Sequence, residues 1–176
     1  MISIGGTSFS TLQAAFDAAS SGAVVQVGGT IIGQSAVLNV ANVTLRGPAI
    51  FDTRGANVQG KAVIVQNGAG FVVEAIEAFG MAVSDGNGAL IRLQANGNLT
   101  MRHCNVHDGQ QGIMTDGNKP LCHVLLDDCT FERLGDGSGS THNIYIGTVA
   151  ELKIIGGHYN DSNVGHCIKS RAVKTT

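Results

Sequence analysis

Residues 99–106 read Leu99-Thr100-Met101-Arg102-His103-Cys104-Asn105-Val106, and residues 124–131 repeat the pattern as Val124-Leu125-Leu126-Asp127-Asp128-Cys129-Thr130-Phe131. Apolar or small side chains hold the first, third, sixth and eighth places in both. Val43 and Phe71 open comparable runs upstream and Leu152 opens one downstream, so the starts are separated by 28, 28, 25 and 28 residues. Two places on stand Leu45, Val73, Met101, Leu126 and Ile154. Five places on stand Pro48, Ile76, Cys104, Cys129 and Gly157, and seven places on Ile50, Ala78, Val106, Phe131 and Tyr159. A second ladder, Val63, Ile91, Ile113, Ile144 and Ile168, follows with spacings of 28, 22, 31 and 24.

A fixed internal period is the signature of a repeat architecture. This one is too short for a strand–helix–strand unit and too long for a hairpin. It fits one coil of a parallel β-solenoid, in which inward side chains stack on their equivalents one coil away. Cys104 over Cys129 and Val106 over Phe131 would be such stacks, with both cysteines read as small core residues. Gly and Asn gather between the strands, as at Gly68-Ala69-Gly70, Asn96-Gly97-Asn98 and Gly156-Gly157. Corners there need left-handed backbone, which these residues adopt at least cost.

Composition agrees. The chain has 176 residues with 25 Gly and 2 Pro, and only 14% are charged, against about 25% in an average domain. A net charge of -2 and a pI near 6.3 leave no electrostatic footprint for nucleic acid or an anionic membrane. No apolar run approaches the roughly 18 residues of a spanning helix. The four cysteines form no CxxC pair. The N-terminal residues lack the basic and apolar segments of a signal peptide, so a secreted or cell-surface location would require that a signal had been removed.

One segment departs from the β pattern. In Ser10–Ala19, Leu12, Ala15, Phe16 and Ala19 share one helical face, with Ser21-Gly22 as a stop. A helix within residues 8–22, capped by Ser8 or Ser10, is expected to cover the top of coils that occupy residues 23–176 as a single domain. Nothing comparable follows Arg171. The expectation is an open C-terminal coil, so that the chain is either a fragment of a longer solenoid or a homo-oligomer in which a second copy covers that face.

The Leu-x-Ala-Ala-x-x-x-Ala helix leading into Val24–Gly29 resembles right-handed parallel β-helix proteins of the pectin-lyase-like superfamily. So do Asn87-Gly88-Ala89-Leu90-Ile91-Arg92, Thr141-His142-Asn143-Ile144-Tyr145-Ile146-Gly147 and Gly165-His166-Cys167-Ile168-Lys169-Ser170-Arg171-Ala172. The likeness covers nearly the whole chain and points to a poorly characterised bacterial subgroup whose members run longer. It implies an all-β, right-handed parallel β-helix of about six coils.

Chemistry-bearing residues gather on the second ladder. The outward residue after each inward Ile is Arg92, Met114, Tyr145 and Lys169 in turn. Two places before each Ile lie Ala89, Gln111, His142 and His166. His142 should stack on His166, and Tyr145 on Lys169, about 4.8 Å apart. Arg171 projects on the Lys169 side. Tyr145, His166, Lys169 and Arg171 are candidate catalytic residues, and Arg92, His142 and Asp136 candidate substrate contacts. The set suits β-elimination on an acidic polysaccharide. A base takes the C5 proton, a cation offsets charge on the carboxylate, and an acid assists the leaving oxygen. Lysine serves as base only when neighbouring cations ease its deprotonation. Lyases of this fold resemble the set but place the Lys and Arg on different coils. No cofactor or metal is expected. Asp108, Asp116, Asp136 and Asp161 are scattered, and inward-facing Cys104 disfavours zinc at His103-Cys104 and Cys122-His123. Asp127-Asp128 is similar to the paired acids of polygalacturonase-type hydrolases, without that family's second motif. The competing expectation is a non-enzymatic structural or adhesive solenoid, such as a phage tail-spike-like segment.

Overall fold

β1 (Ile2–Ile4) and β2 (Thr7–Ser8) form an antiparallel pair, followed by α1 (Leu12–Ala18). These coordinates come from a computed structural model that describes residues 1–94 and 96–176. The helix is shorter than the 8–22 expected, and neither Ser8 nor Ser10 caps it. Ser8 belongs to β2, and Thr11, in extended backbone, accepts a 3.1 Å hydrogen bond from the Ala14 amide. α1 buries Leu12, Ala15 and Phe16, with Phe16 edge-on to Phe71 at 6.1 Å. Gln13 exchanges two hydrogen bonds with the Val37 backbone, so the helix clamps the first coil.

That coil is β3 (Val24–Val27), β4 (Gly29–Ile32) and β5 (Ala36–Leu38). The second is β6 (Val43–Asp52) and β7 (Ala62–Gln66), and the third β8 (Phe71–Phe79) and β9 (Ala89–Leu93). The fourth is β10 (Leu99–Arg102), β11 (Asn105–Gly109) and β12 (Gln111–Thr115). β13 (Asn118–Asp127), β14 (Thr130–Leu134) and β15 (Ile144–Ile146) make the fifth. β16 (Thr148–Ile155), β17 (His158–Asn160) and β18 (Ile168–Ser170) make the sixth, and β19 (Lys174–Thr175) pairs beneath β16.

Stacking these coils gives three parallel faces. The first runs β3-β6-β8-β10-β13-β16-β19, and the second joins β4, the far halves of β6 and β8, β11, β14 and β17. The third is β5-β7-β9-β12-β15-β18. With 54% strand and one short helix, the chain is a β-solenoid of about five turns. The sequence expectation of about six coils is one more than these turns, although the third face carries six strands.

Val43, Phe71, Leu99, Val124 and Leu152 pair in one line, as their spacing requires. Two positions move by one residue. Ala49 and Phe51, rather than Pro48 and Ile50, face Ile76 and Ala78, because the ladder shifts register between Arg46 and Ala49. Pro48 has no N–H to give the ladder, and beyond the shift Phe51 is buried while Ile50 is exposed. On the third face Ile64, not Val63, pairs with Ile91. All five residues of β7 are buried, because Val37, Val58 and Met114 pack outside Ala62, Val65 and Ala89. Alternation therefore carries no information there. The first corner is left-handed at Ala75, His103, Asp128 and Gly156, with φ of 55, 51, 50 and 63°. Only the last follows the glycine expectation.

Candidate functional site

The outward column of the third face is Val37, Val65, Arg92, Met114, Tyr145 and Lys169, each paired with the next in strand register. The order Arg92, Met114, Tyr145, Lys169 read from the sequence is the order in space. Alternation along each short strand throws these side chains out while Ile91, Ile113 and Ile144 point into the core.

At the far end of the column Tyr145 is a platform. Lys169 Nζ lies 5.3 Å from its ring centroid and the Arg171 guanidinium carbon 5.9 Å away. His142 stacks on the same ring at 6.0 Å and tilts 60° against His166 at 5.1 Å. Its Nδ1 accepts the His166 amide N–H at 3.1 Å, and its Nε2 stands 3.2 Å from Lys169 Nζ. This closeness depends on Gly165, where an added Cβ would fall 1.8 Å from the Thr141 carbonyl oxygen and 2.9 Å from His142 Nδ1. His142 is only 2% exposed, so it reaches a ligand through Lys169 rather than by touching it. Burial first, then Lys169 and His166 beside it, holds the His142 imidazole below its ordinary range.

The other two candidates lie apart from this cluster. Arg92 sits two coils away, beyond Met114. Its Nη1 approaches the Met114 sulfur at 2.6 Å, and its Nε is buried without a partner. Asp136 lines a neighbouring cleft of about 390 Å³ with Ser84, Asp85, Asn87, Ser138, Ser140 and Thr141. Its Oδ1 accepts from the Ser138 amide, the Ser138 hydroxyl and the Thr141 hydroxyl, which hold its carboxyl below the usual range. Thr141 precedes His142, so cleft and column share an edge.

Asp127 and Asp128 lie at the first face and its corner, bound to Arg102 at 3.6 Å and His103 at 3.3 Å. Neither joins the column. Cys104 and Cys129 are buried free thiols, with Cys104 pushed up by its hydrogen bond to Cys129 and by burial. Among the described residues no three of His, Cys, Asp and Glu converge on a metal-sized site.

Sequence reasoning placed Gln111 in the row of His142 but gave it no role. It is 1% exposed, donates to the Gly86 carbonyl at 3.4 Å, and leaves its Oε1 without a partner. Charge pairing separates the column from the rest of the surface. Of 11 Lys and Arg residues, seven contact a carboxylate. The four that do not, among the described residues, are Arg92, Lys153, Lys169 and Arg171; two of these meet at Tyr145 and Arg92 lies further along the same column. Compared with family models, curated proteins and solved structures, the chain matches none.

Proposed function

We propose that the chain is a carbohydrate-active β-solenoid that binds an acidic polysaccharide along its third face and cleaves it by β-elimination. The observation carrying this reading is the pairing of Lys169 and Arg171, both without carboxylate partners, over the Tyr145 ring, with Arg92, also without one, further along the same column. Elsewhere, Lys153 apart, the basic side chains contact carboxylates, so an anion gains most here. A uronate polymer suits the geometry because its carboxylates recur along the chain, as the column's side chains recur every ~4.8 Å. Tyr145 offers a flat apolar face to a sugar ring.

In this mechanism Lys169 takes the C5 proton and Arg171 stabilises the carboxylate as charge moves onto it. Electrons of the C5–H bond form the C4–C5 double bond while the C4–O bond breaks, and Tyr145 protonates the departing oxygen. Exposed His166 borders the same space. Likeness of the Asn87–Arg92, Thr141–Gly147 and Gly165–Ala172 segments to pectin-lyase-like β-helix proteins supports the reading. Lys169 and Arg171 sharing one coil is this chain's departure from those lyases. Incubation with polygalacturonate, alginate and hyaluronan, followed by ultraviolet absorbance of the unsaturated product, tests it. Turnover of one polymer, abolished in Lys169→Ala with unchanged stability, is the expected result. No turnover and no binding of any of them refutes it.

A second reading, an assembly subunit, is favoured by the exposure of Ile155, Val164 and Val173 on and beside the last coil. Its signature is a concentration-dependent mass in light scattering.

A further inference from the structure

Beside the cationic end of the third-face column lies a cleft of opposite charge. It holds about 390 Å³ between the turn at residues 84–87 and the loop at residues 136–141. Thr141 closes its edge, and the next residue, His142, stacks on Tyr145 at 6.0 Å and stands 3.2 Å from Lys169 Nζ. Carboxylates and cations thus flank one dipeptide, Thr141-His142. Asp136 Oδ1 is fully engaged, accepting from the Ser138 amide, the Ser138 hydroxyl and the Thr141 hydroxyl at 2.9, 2.6 and 2.8 Å. Its Oδ2 accepts from no described residue and reaches toward Gly86, where an added Cβ would stand only 2.8 Å from it. Glycine at 86 is what lets the carboxylate come this close. On the same turn Asp85 accepts from the Asn87 amide at 3.1 Å and meets Lys61 at 3.4 Å. Gln111, 1% exposed, ends at the Gly86 carbonyl, to which its amide donates at 3.4 Å, and its Oε1 has no partner. Both spare atoms, Asp136 Oδ2 and Gln111 Oε1, are acceptors. An occupant completes such a site by bringing O–H or N–H groups, and a carboxylate brings none.

We infer that this cleft is a subsite for an uncharged, hydroxyl-bearing sugar next to the acidic sugar held at Tyr145, so that the polymer bound alternates acidic and uncharged residues. The inference rests on the function proposed above and narrows its substrate class. Sugar hydroxyls donate to Asp136 Oδ2 and accept from the hydroxyls of Ser84 and Ser140 on the cleft walls. A uronate in the same place sets its own carboxylate against Asp85 and Asp136. Both of these are held below the usual carboxylate range, Asp85 by the Asn87 amide and Asp136 by Ser138, and are charged at neutral pH. Facing like charges penalise that occupant, and the spare acceptors are left unpaired by it. A metal ion fits less well. Asp85 already meets Lys61, and among the described residues no third His, Cys, Asp or Glu joins the two acids.

Isothermal titration calorimetry against two kinds of oligosaccharide, at equal carboxylate concentration, tests it. In hyaluronan and rhamnogalacturonan-backbone oligosaccharides a uronate alternates with an uncharged sugar. In oligogalacturonate and oligoalginate every residue is a uronate. One of the alternating ligands should bind about tenfold tighter than either homopolymer fragment. Asp136→Asn, whose amide oxygen still accepts from Ser138 and Thr141, should tighten the all-uronate ligands and narrow the gap. Asp85→Asn, on the opposite and exposed wall, should narrow it in the same direction, so the charge effect is read even where one variant folds poorly. All-uronate ligands that bind the unmutated protein at least as tightly as both alternating ones overturn the inference and leave the reading above standing. Binding of none of the four removes that reading, and the subsite with it.

Discussion

Ile144 is the residue on which core and site both depend. It is fully buried, lies between Ile113 and Ile168 in the third-face register, and immediately precedes Tyr145. Ile144→Ala removes three carbons from this stack. Transfer alone costs about 0.8 kcal/mol per carbon, or roughly 2.4 kcal/mol. The cavity left behind adds to that, within a usual total of about 2–5 kcal/mol for such a truncation. Ile168 on the outer side is only partly buried and can relax inward, which places the expected loss near 3 kcal/mol. That is a large fraction of a typical domain's 5–15 kcal/mol. Urea unfolding followed by far-ultraviolet circular dichroism measures it, with Ile113→Ala as the deeper control that should lose more. A cost below 1 kcal/mol for Ile144→Ala, or a folded Ile144→Asp, would refute the register. A slip of one residue would turn Tyr145 inward and dissolve the site.

Acidification should act through His142. Its folded imidazole is held below the ordinary value, so the unfolded chain binds the proton more readily and stability rises with pH in that window. This contribution is complete above the unfolded value of about 6.5 and is lost as pH falls from there through the folded value. The urea midpoint should drop as pH falls below about 6.5, and His142→Gln should flatten the drop; an equal drop in both proteins assigns it to other groups. Met114→Glu should place a carboxylate beside the Arg92 guanidinium, raising stability by up to about 1 kcal/mol while weakening an acidic polysaccharide in affinity electrophoresis. Undiminished binding by that variant would remove the column's charge from recognition.

The coil period and the order of the outward column were legible because side chains in register one coil apart meet the same environment. The errors are equally physical. Ile50 is exposed because a register shift precedes Phe51, and Val63, though a core residue, yields its ladder place opposite Ile91 to Ile64 in a strand that an outer apolar layer buries on both sides. The left-handed corner at Ala75 was invisible because nothing in Ala advertises positive φ, whereas His103 and Asp128 belong to types enriched there, a signal that a search for Gly and Asn passes over. His142 could be placed but not understood. Its burial comes with the Gly165 approach, and its partners are a backbone amide and the Lys169 side chain on the next coil, neither of which periodicity reveals.

The first face shows what this architecture does with charge when nothing but folding is at stake. Arg46, Glu74, Arg102 and Asp127 stack in register with alternating sign, at contacts of 2.7, 3.4 and 3.6 Å. Hydrogen bonding to Arg46 holds Glu74 ionised well into acid. Such exposed pairs contribute little each, but alternation removes the like-charge repulsion that in-register stacking would otherwise impose. On the third face the same stacking carries Arg92, Met114, Tyr145 and Lys169 with no acid among them. The chain has 13 acidic residues to 11 basic ones, so a shortage of carboxylates is not the reason. A column that served only to hold coils in register would be satisfied by alternation or by apolar contact. Here Arg92 keeps a buried Nε without a partner and Lys169 meets a histidine in place of an acid. A buried Nε without a partner costs stability, and under the function proposed above an anionic ligand drawn to Arg92, Lys169 and Arg171 is what this uncompensated charge serves.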